Sequence, residues 1–125
     1  MIFDTVAIAG LAERNPDLEK IARETPIIHL PIIAVGEFQF GIVGSRYRPQ
    51  LEHWFSTLIE MHQVLYLDLE TLASYSKIRA ALKAAGTPIP ANDIWIASLA
   101  LQYGLKVVSR DAHFDRVRGV HRIGW

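Results

Sequence analysis

Short apolar runs alternate with helical segments along the whole chain. Ile2-Phe3-Asp4 reads as a short buried strand, and Thr5 to Glu13, apolar and rich in alanine, as a helix. Asn15-Pro16-Asp17 is a helix-start signal, with the helix running through Leu18 and Ile21 to about Arg23. Pro26 to Leu30 predicts a second strand bounded by Pro31. Ile32 to about Tyr47 predicts a largely buried helix, against which the glycines Gly36, Gly41 and Gly44 weigh. Pro49 opens the next helix, with Leu51, Trp54, Phe55, Leu58 and Ile59 at three- and four-residue spacing.

Val64 to Leu67 predicts a third strand. Glu70 to Ala85 is amphipathic through Leu72, Ile78, Ala81 and Leu82 and stops at Gly86. After a loop over Thr87 to Pro90, Asn92 or a neighbour caps an apolar helix that ends near Gly104. Lys106 to Ser109 predicts a fourth strand, and Val120 to Ile123 an edge strand or tail. This alternation favours a parallel sheet with helices on both faces. In such sheets ligands bind beyond the carboxyl ends of the strands.

Four acids interrupt or border the apolar runs: Asp4, Glu37, Asp93 and Asp111. A buried carboxylate costs several kcal/mol unless it is paired or bound to a metal. One shared divalent-metal site answers for all four. Singly, each acid has an ordinary reading: Asp4 and Asp93 as helix-start acids, Asp111 as a turn residue, Glu37 as a surface side chain.

With 125 residues the chain has the size of one domain, 1–125. Its 13 basic and 13 acidic residues balance, so bulk charge advertises neither a nucleic acid nor a membrane. Setting the four acids aside leaves a mildly basic remainder around an acidic pocket, a layout suited to a polyanion. The absence of cysteine excludes disulfides and Cys-type zinc sites. No signal peptide and no run near the ~20 apolar residues of a membrane span is visible, so a soluble cytoplasmic protein is expected.

The most specific stretch is Pro90-Ala91-Asn92-Asp93-Ile94-Trp95-Ile96-Ala97, followed by Gly104-Leu105-Lys106-Val107-Val108-Ser109-Arg110-Asp111-Ala112-His113-Phe114. With Asp4-Thr5 at the start and Glu37 in a mid-chain helix, the whole chain resembles a PIN domain, and within that family the VapC toxins of bacterial toxin–antitoxin pairs. The resemblance implies a three-layer α/β/α fold around a mostly parallel sheet of four to five short strands. It implies a ribonuclease dependent on Mg²⁺ or Mn²⁺, cutting an RNA phosphodiester to leave a 5′-phosphate and a 3′-hydroxyl. It also implies a small VapB-like antitoxin partner and a homodimer.

Carried over residue by residue, the resemblance gives metal-binding roles to Asp4, Asp93 and Asp111. Glu37 binds metal or orients water, and Ser109 supports the site by hydrogen bonding. Such hard ions prefer oxygen ligands and keep several waters, which carboxylates permit. Where family members often carry Asn or Ser two residues after the first acid, this chain has Val6. That departure keeps open an alternative, a catalytically degenerate module that binds RNA or protein without cutting.

Arg46, Arg48 and Arg110, with Arg116 and Arg118, are candidate phosphate contacts or ordinary solvated charge. His113 lies near the proposed site but reads as a surface or packing residue rather than a base, and Asp115 as a solvated neighbour of Arg116 and Arg118, with a metal-proximal role as the alternative. Trp54 and Phe55 fit a core face better than a base-stacking platform, and Ile32–Val43 is apolar enough to line a groove for a partner helix or to be core.

Overall fold

The computed structural model describes residues 1–125 and contains five short strands, six α-helices and one 3₁₀ turn. The order is β1 (Ile2–Phe3), α1 (Thr5–Ala12), α2 (Pro16–Arg23), β2 (His29–Pro31), α3 (Ile32–Ile42), α4 (Arg48–Met61) and β3 (Gln63–Leu65). Then follow α5 (Leu69–Ala84), α6 (Ala91–Tyr103), β4 (Val107–Val108), a 3₁₀ turn (Ala112–Arg116) and β5 (Arg122–Ile123). The strands pair in the order β3-β2-β1-β4-β5, every pair parallel. With helices on both faces this is a three-layer α/β/α architecture.

That order matters for function. The chain steps from β1 to β2 to β3 in one direction, then crosses back to β4 on the other side of β1. Right-handed crossovers therefore place the helices before β3 and those after it on opposite faces. The reversal falls between β1 and β4, and the crevice beyond their carboxyl ends is where such sheets bind ligands. Ile2, Phe3, Val107 and Val108 are completely buried, so the two strands flanking the crevice form the rigid centre of the core. No helix is long and apolar enough to cross a membrane.

Local chemistry explains where the elements start and stop. Asn15 caps α2 by accepting from the Asp17 and Leu18 amides, with Pro16 at its first position. Asp68 and Thr71 form a reciprocal capping box at α5. Gly104 ends α6 in the left-handed region, at φ 64°.

Three expectations are corrected. The helix predicted from Ile32 to Tyr47 ends at Ile42: Val43 and Ser45 donate to carbonyls three residues back, a tight turn at the helix-weak Gly44. The third strand begins one residue before Val64 and stops at Leu65, where pairing with Pro31 ends. The second strand runs over His29–Pro31 rather than Pro26 to Leu30, with Pro31 inside it. At α6, of Asn92 and its neighbours, Pro90 holds the cap position without a side-chain bond. The Asn92 amide is committed elsewhere.

Candidate metal centre

The register of β1 and β4 builds the first half of the site. Phe3 pairs with Val108, so the next residue on each strand, Asp4 and Ser109, emerges side by side above the sheet. Ser109 donates its hydroxyl to Asp4 Oδ2. Asp4 Oδ1 accepts the Ala7 amide at 2.8 Å, capping α1. The helix-cap reading of Asp4 is thus realised together with the site, not instead of it. Ser109 Oγ in turn accepts the Asp111 amide at 2.9 Å, which fixes the turn that carries Asp111.

Asp93 arrives from the opposite side, in the first turn of α6. Asp111 Oδ1 accepts the His113 amide at 2.9 Å and starts the 3₁₀ turn. This folds the His113 ring back over the carboxylate, with Nδ1 lying 2.9 Å from Asp111 Oδ1 and 3.1 Å from Asp93 Oδ2. Donor atoms of Asp93, Asp111 and His113 all lie within 4.8 Å of one another. Glu37 stands at the edge of this group. Its Oε2 accepts the Thr5 hydroxyl at 2.8 Å, and its Oε1 accepts the Asn92 amide. Thr5, at the start of α1, supplies a hydroxyl there although Val6 offers none.

The electrostatics are those of crowded acids without a cation. Asp4 is only 3 % exposed, and burial pushes its carboxyl up to about 6. The Ser109 and Ala7 bonds pull it back, while Asp93 and Asp111 repel its negative charge. Burial also raises Asp93, opposed by the His113 bond and reinforced by Asp111 and Glu37. Each acid therefore feels its neighbours across the crevice. The donor set, partly exposed carboxylates with one imidazole nitrogen, fits a divalent ion with room left for water.

Of the four acids, Asp93 and Asp111 bring donor atoms together with His113, while Asp4 and Glu37 lie outside that group, near enough for Asp4 to feel Asp93 and Asp111 and for Asp93 to feel Glu37. The arginines sit apart from these bonds. Arg48 pairs with Glu52 on α4 at 2.6 Å, Arg46 lies over the Tyr47 ring, and Arg110 over the Trp125 ring. Asp115 is not held by Arg116 or Arg118; it forms a two-pronged pair with Arg122 at 2.8 and 2.9 Å. Arg122 also donates to the Ser109 carbonyl, bracing the end of β4 from behind.

Sequence reasoning missed three participants: His113, Thr5 and Asn92. The Asp-x-His spacing was the available signal for the first, because an acid accepting the amide two residues on brings that side chain alongside. Phe55 is core as expected, but Trp54 is only partly buried and lines a groove of about 670 Å³ with Ala9, Phe38, Ile42 and Leu51. Glu37, Thr5 and Glu13 also line that groove.

The PIN domain family model matches residues 1–120. Among characterised relatives, the plasmid stability protein StbB of Pseudomonas syringae is 29% identical, over 89% of this chain and 87% of its own length. Ribonuclease VapC1 of Haemophilus influenzae is 28% identical, over 99% of this chain and 96% of its own. Among solved structures, the DNA-bound VapBC complex of Salmonella typhimurium contains a chain that is 25% identical with a TM-score of 0.87, covering 99% of this chain and 96% of that one.

Proposed function

The chain belongs to the PIN-domain family, and from that premise we propose that it is an endoribonuclease dependent on Mg²⁺ or Mn²⁺ and the toxin of a VapBC-type pair. The observation that carries this reading is the convergence of Asp93, Asp111 and His113 donor atoms above a buried Asp4. The names of the relatives, a VapC ribonuclease and a VapBC complex, point the same way.

In this reading Asp93 and Asp111 hold the ion, and Asp4 adds its charge from below while Ser109 keeps it oriented. A divalent ion so held supplies Lewis acidity, lowering the pKa of water and offsetting charge that develops on the phosphate. Glu37 has both oxygens anchored, by Thr5 and Asn92, and each keeps a further lone pair. It orients the attacking water towards phosphorus. The bond from phosphorus to the 3′-oxygen breaks, leaving a 5′-phosphate on one fragment and a 3′-hydroxyl on the other. Arg110, next to Asp111 in the chain, contacts the RNA backbone in this reading, for which its guanidinium would have to leave the Trp125 ring.

The partner is a small VapB-like antitoxin. The groove beside Trp54 has apolar walls and two carboxylates, Glu13 and Glu37, in its lining, so it suits an amphipathic segment that carries basic side chains. In this reading the chain is a homodimer, with exposed apolar side chains such as Phe40 and Leu69 available to be covered.

The test is RNA cleavage by the purified chain free of antitoxin, in Mn²⁺ or Mg²⁺. Cleavage that stops in EDTA and in a folded Asp93→Asn variant is the expected result. Equal cleavage by that variant, or full activity in EDTA, refutes the mechanism.

A further inference from the structure

One feature of the site is not explained by a ring of carboxylates: an imidazole nitrogen sits between two of them. His113 Nδ1 is 2.9 Å from one Asp111 oxygen and 3.1 Å from one Asp93 oxygen. Donors bound at right angles to one octahedral ion at about 2.1 Å lie about 3.0 Å apart. Both separations match that edge, and the third, between the two carboxylates, lies within 4.8 Å. The ring is held in place by the backbone, since its own amide is bonded to Asp111 Oδ1. The side chain is about one-third exposed, so an ion and its waters have access from solvent.

We propose that His113 Nδ1 is a metal ligand, completing with Asp93 and Asp111 a mixed nitrogen–oxygen site that selects Mn²⁺ over Mg²⁺. The inference rests on the metal-dependent reading above and refines it. Imidazole binds the later first-row divalent ions best and Mn²⁺ least well of that series, but Mg²⁺ takes nitrogen more weakly still and favours all-oxygen surroundings. One nitrogen among carboxylates therefore tilts the site towards Mn²⁺ without excluding Mg²⁺. A hydrogen bond from Nδ1 shared by the two carboxylates would satisfy the same distances, and it is the competing outcome.

Two measurements separate them. Electron spin-echo modulation of Mn²⁺ bound to the intact chain detects a directly coordinated ¹⁴N nucleus, and calorimetry gives the affinities of Mn²⁺ and Mg²⁺ separately. The expected result is ¹⁴N coupling in the wild type that disappears in His113→Ala and His113→Gln. Those variants should also lose Mn²⁺ affinity by at least about tenfold while Mg²⁺ affinity changes less than about threefold. Bound Mn²⁺ without ¹⁴N coupling, or an unchanged preference between the ions in both variants, overturns the ligand role and leaves the carboxylate site standing. A wild-type chain that takes up neither ion overturns the metal reading itself.

Discussion

Replacing Asp4 by asparagine should make the metal-free protein more stable, although it removes a group central to the site. Asp4 is buried, and its carboxyl is pushed from the ordinary 3.8 to about 6. Each tenfold change in proton affinity is worth 1.36 kcal/mol, so at pH 8 the ionised Asp4 costs the folded state about 3 kcal/mol. The sign follows from proton binding. Between 3.8 and about 6 the folded chain keeps a proton that the unfolded chain has lost, so stability falls as pH rises through this window. Above it both states are ionised and the penalty is constant. Asparagine resembles the protonated acid and can still accept the Ala7 amide. Asp4→Asn should therefore gain about 3 kcal/mol at pH 8 but only about 1 kcal/mol at pH 4.5. At about 4 °C per kcal/mol for a chain of this length, the melting temperature in EDTA should rise by about 10 °C at pH 8. Calorimetric melts of both proteins at the two pH values test this. A variant no more stable than wild type at pH 8, or a difference independent of pH, would refute the argument that Asp4 is a strained, cation-seeking anion.

Other outcomes follow from the same contacts. Mn²⁺ at about a hundred times its Kd should stabilise the wild type by about 2.7 kcal/mol, with far less effect on Asp93→Asn, as thermal shift will report. Asn92→Ala frees one oxygen of Glu37 and should cut the RNA cleavage rate by about 10- to 100-fold with little change in melting temperature. Leu30→Ala, at a fully buried position of β2, should cost about 2–5 kcal/mol in urea unfolding. Gly104→Ala forces a left-handed φ of 64° on a residue with a Cβ and should cost about 1 kcal/mol in the same assay.

Most of the architecture was legible because its signals are local. Apolar runs, the Asn15-Pro16 start and Gly86 and Gly104 near helix ends all act within a few residues. The long helix from Ile32 was overextended because hydrophobicity continues through Val43 while the backbone turns at Gly44. The four acids were conspicuous because apolar surroundings make a carboxylate expensive. Their polar partners were not. Thr5 and Asn92 look like helix-start residues, and only the packing of α3 against α1 and α6 brings Glu37 to them. His113 was passed over because no ligand spacing joins it to another histidine; its neighbours are carboxylates from two different elements. Such long-range pairings leave no periodic trace in the chain.

Whether this crevice holds a divalent cation decides what the chain can do. Titrating the antitoxin-free chain with Mn²⁺ by calorimetry should give saturable uptake that weakens at least about tenfold in Asp93→Asn. A wild-type chain that takes up no Mn²⁺, or a variant that binds it equally well, would contradict the account.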